Sequence, residues 1–194
     1  MVFTHAHADH IDGWTGVLDG RQVDQIAVGP TGGPGSAAIP QHVTTPGESF
    51  TVGDVTAEVL WPSASGPIRA AGGEGSTANN ASVVLAAEVR GVRLMLAGDI
   101  EPEAQEGLLR EHPDLAADVL KMPHHGSARQ SKEFFEAVGA RLATISAGKG
   151  NDYGHPAAAA LSLLREQGMR WWRTDTDGDI AIVERDGRLL VVTR

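Results

Sequence analysis

His5-Ala6-His7-Ala8-Asp9-His10 places three imidazoles and a carboxylate within six residues, and the reading of this stretch decides the rest. Imidazole nitrogen and carboxylate oxygen are the ligands of a borderline divalent cation such as zinc or manganese. Val2-Phe3-Thr4 just ahead reads as the end of a buried strand, and in an extended continuation His5 and His7 stand two apart and point to one side. They can share one ion. Ile11, Trp14 and Leu18 mark the apolar face of a helix beginning here, so the adjacent Asp9 and His10 diverge by about 100° and can serve a second ion beside the first. Solvated loop histidines are the competing reading, and the order HxHxDH argues against it.

The composition suits such a site. In 194 residues, 41% hydrophobic, there is enough apolar material for the core of one or at most two domains. Aromatics make up only 5%, whereas 24 glycines and 10 prolines imply many turns, which favours strands joined by loops over a helical bundle. No apolar run reaches the roughly 18 residues of a membrane span, and the N-terminus lacks the basic and apolar regions of a signal peptide, so the chain as given reads as soluble. The absence of cysteine excludes disulfides, thiolate metal sites and a thiol nucleophile. A net charge of −9 is unlike that of a nucleic-acid binder held by bulk electrostatics. A polyanion would need a local positive site, which metal ions can provide.

Outward from the opening motif, a short strand is expected at 25–28, followed by a Gly/Pro-rich loop at 29–36. That loop is not a P-loop, because no Gly-Lys-Ser/Thr follows and its prolines remove backbone donors. Residues 48–52 and 55–61 read as a half-buried hairpin turning at Gly53-Asp54, and 62–78 as a long loop beside the site. Two apolar runs, 82–89 and 92–97, pair through Arg90-Gly91. A helix with Pro102 in its first turn, and with Glu101 and Glu103 facing its dipole, runs to about Glu111. A strand at 118–122, a helix capped by Ser131, a strand at 142–146, a helix over 156–167 and a strand at 169–173 follow. A terminal hairpin turns at Asp186-Gly187. Asp175-Thr176-Asp177-Gly178-Asp179 lacks the distal acidic ligand of a calcium loop and reads as a plain turn.

Asp99, then His124 and His125, then His155 each fall in a loop directly after an apolar strand. Strand ends from one sheet share a rim, so these residues can converge. His42 and His112 have no such setting and read as surface residues. Leu96-Ala97-Gly98-Asp99-Ile100-Glu101, Pro123-His124-His125-Gly126-Ser127, Asn151-Asp152-Tyr153-Gly154-His155-Pro156 and Arg173-Thr174-Asp175, together with the opening motif, resemble the metallo-β-lactamase superfamily. Most closely they resemble the C-terminal domain of ComEC-type DNA-uptake (competence) proteins.

The resemblance implies an α+β fold, a four-layer αββα sandwich, with a dinuclear centre at one rim. His5 and His7 would hold one of two divalent ions, zinc or manganese. Asp9, His10 and His155 would hold the other, and Asp99 would bridge them. Where many relatives supply a further histidine to the first ion, this sequence has Asn79 and Asn80, so one of His124 and His125 is expected there, His125 preferred, with the other facing substrate. Relatives also carry strands before the HxHxDH motif. The expectation is therefore one domain over 1–194, N-terminally truncated, with an unpaired sheet edge.

The activity implied is metal-dependent hydrolysis by a metal-bridged hydroxide, most closely that of a phosphodiesterase or nuclease acting on single-stranded DNA during uptake. Asp9, Asp99 and His124 are the expected catalytic residues, and Gly126 and Ser127 the expected substrate contacts; Lys149 reads as a solvated lysine. The implied partners are DNA and the membrane channel portion of a parent protein. This domain would stand at the extracytoplasmic face without entering the membrane. A small-molecule phosphodiesterase or lactonase, or a metal-binding docking module without catalysis, are the alternative readings.

Overall fold

The structure is a computed structural model that describes residues 1–35, 38–66 and 76–194. In chain order, β1 (Val2–Phe3), the single helical turns α1 (Ala8–Ile11) and α2 (Trp14–Val17), β2 (Ile26–Val28) and β3 (Gln41–Val43) form the first part. Next come β4 (Ser49–Val52), β5 (Val55–Trp61), α3 (Thr77–Asn80), β6 (Val84–Val89) and β7 (Val92–Leu96). The chain continues through α4 (Pro102–Glu111), β8 (Val119–Lys121), a 3-10 turn (Pro123–Gly126), α5 (Lys132–Val138) and β9 (Leu142–Ile145). It ends with α6 (Ala158–Glu166), β10 (Arg170–Arg173), α7 (Thr174–Asp177), β11 (Ile180–Arg185) and β12 (Arg188–Thr193).

Seven of these strands make one sheet in the order β10-β9-β8-β7-β6-β5-β4. Tight turns join β4 to β5 and β6 to β7, so this half is antiparallel. At the second turn Arg90 and Gly91 have φ of 50° and 76°, the left-handed pair that matches strand twist. From β7 onward each connection passes through a helix, and β7, β8, β9 and β10 run parallel. Their carboxyl ends therefore lie along one edge, and the site assembles there.

The layers follow from where apolar side chains go. Leu108, Phe134, Phe135 and Leu164 from α4, α5 and α6 are buried against Trp61, Met95, Leu120 and Ile145 of the sheet and Met122 just past β8. Each such side chain contributes about 1.5–3 kcal/mol. On the other face Val59, Val83 and Leu85 meet Val2 and Phe50, which seats the small parallel sheet β1-β2-β3. Ile11 and Trp14 cover that sheet from outside, over Phe3, Ile26 and Val28. The result is helix, sheet, sheet, helix, as the sequence predicted. The β11–β12 hairpin closes part of the large sheet through Ile182, Leu189 and Val191 on Val92, Val119 and Leu142.

Three local expectations change. The helix expected after His7 is two separate turns, because Gly13 and Gly16 weaken it. Residues 174–177 form a helical turn rather than a plain one, since the Arg173 amide donates to Asp177. The 62–78 loop falls largely on residues 67–75, outside the described residues, and its end is the Ser76-capped α3. Among the described residues no helix is long and apolar enough to cross a membrane.

Candidate metal centre

The end of β1 is tied to the large sheet by the Val83 amide, which donates to the Thr4 carbonyl at 2.9 Å. This bond carries the HxHxDH stretch to the rim. His5 is fully buried, with Nδ1 at 3.1 Å from both the Thr4 and Ser82 hydroxyls and Nε2 at 3.0 Å from His7 Nδ1. Burial pushes the His5 pKa down to about 3, overcoming the charge of Asp99, and the ring is neutral.

Asp99 follows Gly98, whose φ is 54°. A Cβ on Gly98 would stand 2.7 Å from the Ser82 Cβ, so only glycine admits the approach that lets the Asp99 amide donate to Ser82 Oγ at 3.1 Å. One serine hydroxyl thus supports both His5 and Asp99. Burial works against ionised Asp99, but hydrogen bonds from His10 and His125 and the charge of Lys121 prevail, holding its carboxyl well below the usual range.

The third contribution comes after β8. His124, His125 and Gly126 take φ of 45°, 51° and 82° in succession. Left-handed backbone at a non-glycine residue costs about 1–3 kcal/mol, and such strain collects at functional sites. Here it turns two neighbouring rings in different directions. His125 Nε2 reaches 3.1 Å from His10 Nε2, 3.2 Å from Asp99 Oδ2 and 3.3 Å from Asp9 Oδ2. His10 Nε2 is 3.1 Å from Asp99 Oδ2 and 3.6 Å from Asp9 Oδ2. One donor atom from each of Asp9, His10, Asp99 and His125 lies within 4.8 Å of the others.

The hydrogen bonding behind this group decides what it suits. His125 Nδ1 stands 2.9 Å from the Ser146 carbonyl, which can only accept, so Nδ1 carries a proton and Nε2 points into the group. His10 Nδ1 is held at 3.1 Å by the Thr4 hydroxyl. His10 Nε2 and His125 Nε2 thus converge with the Asp9 and Asp99 carboxylate oxygens on one small volume, where a single cation would meet all four donors. The donor set therefore fits a divalent metal ion bound by Asp9, His10, Asp99 and His125, with His5 and His7 alongside.

His124 goes elsewhere. Its Nδ1 is 3.4 Å from Glu101 Oε1 and its Nε2 3.5 Å from Asn79 Nδ2. Glu101 also takes a hydrogen bond from Asn79 at 3.0 Å and pairs with Arg129 at 2.9 Å. Expected as an acid facing a helix dipole, Glu101 is instead buried. Burial opposes its charge, and His124, Asn79 and Arg129 together keep its carboxyl below the usual range.

The site residues thus sort differently from the expected ligand sets. His125 joins Asp9, His10 and Asp99 rather than His5 and His7. His155 is not in that cluster of four; its ring is 5.3 Å from that of His124, and it lines a cleft of about 380 Å³ with Asp9 and His125. Asn79 donates to Glu101 and stands 3.5 Å from His124 Nε2. Gly126 and Ser127 brace the corner. The Gly126 carbonyl accepts from the Ala157 amide at 2.8 Å, and the buried Ser127 hydroxyl donates to the Arg129 carbonyl at 3.3 Å. Lys121, 3.4 Å from Asp99 Oδ1, was not anticipated, although a lysine in an apolar strand was a visible signal. Nothing in the sequence marked Ser82, Ser146 or Arg129.

No family model matches the chain. Among solved structures, the metallo-β-lactamase fold protein YhfI from Bacillus subtilis superposes with a TM-score of 0.51 at 12% identity, covering 89% of this chain and 72% of YhfI. The chain has the metallo-β-lactamase fold. Zinc-bound PqqB from Methylobacterium extorquens agrees, with a TM-score of 0.50 at 11% identity over 89% of this chain and 70% of its own. In sequence, this metallo-β-lactamase-fold chain is 32% identical over 192 residues to ComE operon protein 3 of Bacillus subtilis (strain 168). The match takes in 93% of this chain but only 24% of that relative's length. Protein YcaI of Escherichia coli (strain K12) is 28% identical over 112 residues, 57% of this chain and 15% of YcaI.

Proposed function

We propose that this chain is a single metal-dependent hydrolase domain that cleaves phosphodiester bonds of single-stranded DNA, as part of a larger DNA-uptake protein. The convergence of donor atoms from Asp9, His10, Asp99 and His125 carries the hydrolase reading. The fold shared with zinc-bound PqqB and the sequence relation to ComE operon protein 3 support the metal and the uptake context. Two divalent ions, zinc or manganese, are the cofactors in this reading, one held by those four residues and one by His5 and His7. When bound, they supply positive charge beside the scissile phosphate and acidify a water.

The chain's own residues do the rest. Asp99 is buried and ionised, so its carboxylate is a fixed negative anchor at the centre of the site. Asp9, with a side chain 59% exposed, stands where the group opens to the cleft and can orient the attacking water and accept its proton. His124, beside Glu101 and Asn79, packs edge-on against the His155 ring that lines the cleft. With a net charge of −9, phosphate is drawn to this cleft only when its donors carry cations. In the parent protein the domain would lie on the extracytoplasmic side, next to the membrane channel portion.

The test is cleavage of single-stranded DNA and of bis-p-nitrophenyl phosphate with manganese or zinc, by wild type and Asp99→Ala. Metal-dependent turnover of both by wild type, lost in Asp99→Ala, is expected. Folded, metal-loaded wild type that cleaves neither overturns the reading.

A further inference from the structure

Tyr153 is 84% exposed, more so than any other large apolar residue described. An exposed aromatic on a loop is unremarkable by itself, but this one is held in place. Asn151 donates through its side-chain amide to the Gly148 and His155 carbonyls at 3.1 and 2.8 Å and accepts from the His155 amide at 3.1 Å. These bonds pin the loop from inside, so its geometry presents the Tyr153 ring outward. The ring also lines the same cleft as Asp9 and His125. It lies 6.2 Å from the His155 ring at an interplanar angle of 26°, and His155 in turn meets His124 edge-on. The Tyr153 and His155 rings thus lie nearly parallel in the lining of the cleft that opens onto Asp9 and His125, with His124 behind His155.

The loop offers a ligand little else. Lys149 and Asp152 carry opposite charges, so the loop attracts phosphate weakly. Gly148, Gly150 and Gly154 have nothing within 4 Å of where a Cβ would stand, which leaves the surface around the ring low and open to a flat group. Stacking suits this arrangement: every base has a π-face, and base–aromatic stacking contributes about 1–3 kcal/mol without sequence preference.

We propose that Tyr153 is the stacking platform for a nucleobase of the strand whose phosphodiester lies at the Asp9, His10, Asp99 and His125 donors. This rests on the DNA-hydrolase reading above. It assigns Tyr153 to substrate binding through its ring face and not its hydroxyl.

The experiment compares steady-state cleavage, with manganese, of an oligothymidylate and of an abasic oligomer of equal length, by wild type, Tyr153→Phe and Tyr153→Ala. Bis-p-nitrophenyl phosphate cleavage by wild type and Asp99→Ala runs in parallel. Tyr153→Ala is expected to raise KM for oligothymidylate roughly five- to a hundredfold with little change in kcat. It should leave the abasic substrate unaffected, and Tyr153→Phe should behave as wild type. Equal effects on both oligomers, a Tyr153→Phe defect as large as that of Tyr153→Ala, or no effect on KM overturns the proposal while the hydrolase reading stands on Asp99→Ala. Wild type that turns over bis-p-nitrophenyl phosphate but neither oligomer overturns the DNA reading and the platform together.

Discussion

His124 and His125 are neighbours in sequence, as nearly are Asp99 and Glu101, yet the structure deals one of each to two different groups. In the first, His125 and Asp99 meet His10 and Asp9, and the ring nitrogens face carboxylates and one another at 3.1–3.3 Å. In the second, His124 and Glu101 meet Asn79 and the guanidinium of Arg129. The second group contains its own cation and amide donor and is neutralised from within. Among the described residues, the cation paired with the first is Lys121, which meets Asp99 at Oδ1 while the imidazoles meet Oδ2. Two sets of similar side chains thus suit different tasks: the first offers donor atoms that fit a cation, and the second satisfies its own charges.

The sharpest way to break this contrast is to exchange the two histidines' fates. His125→Ala should lower metal affinity roughly a thousandfold, about a quarter of the 10–16 kcal/mol that four ligands supply to a structural zinc. His124→Ala should change it only a few-fold, as read by competitive titration against a chelating dye. Comparable losses in both would erase the distinction. Glu101→Ala tests the other half. Arg129 keeps Glu103 at 2.6 Å, but Asn79 loses its buried acceptor, so the change should cost about 1–3 kcal/mol of unfolding free energy in denaturant titrations, with metal stoichiometry retained.

Behind the first group sits Ser82, whose hydroxyl touches both His5 and the Asp99 amide. Ser82→Ala should weaken metal binding roughly ten- to a hundredfold, as loss of an orienting hydrogen bond does elsewhere. An unchanged affinity would show that packing alone aligns the ligands.

The smallest effect belongs to a carboxylate outside both groups. Asp118 accepts from the Arg93 amide and the Arg141 guanidinium, chiefly the former, and its carboxyl lies below the usual range. A depressed folded value means its stabilisation is complete above the unfolded value of about 3.9 and is lost as pH falls through the folded one. Asp118→Asn should cost about 1 kcal/mol at neutral pH, and the gap to wild type should close below about pH 4. A gap that persists in acid would assign the loss to geometry and not to charge.

Much of the fold was written locally. Alternation in Val55, Ala57 and Val59, the Arg90-Gly91 and Asp186-Gly187 turns, Pro102 and the Ser131 cap act over a few residues, and each element appeared close to where they placed it. The HxHxDH order and the position of Asp99 and His125 after apolar strands likewise marked those residues as site candidates. Which ligand goes with which was not local. His125 joins Asp9 and His10 because three left-handed residues turn its ring one way and that of His124 the other, and because Ser146, from the neighbouring strand, takes up its outer nitrogen.

The same division holds for the roles. Ligand chemistry is a property of side-chain type, so the sequence alone determined that this chain offers imidazoles and carboxylates to a divalent cation at the rim of a sheet. Only the tertiary structure decided that Glu101 is buried beneath His124, that Gly126 and Ser127 brace a corner, and that Tyr153 stands out over the cleft. Burial, partner and direction depend on contacts between residues remote in sequence, and those exist only once the parallel strands have brought their carboxyl ends to one edge.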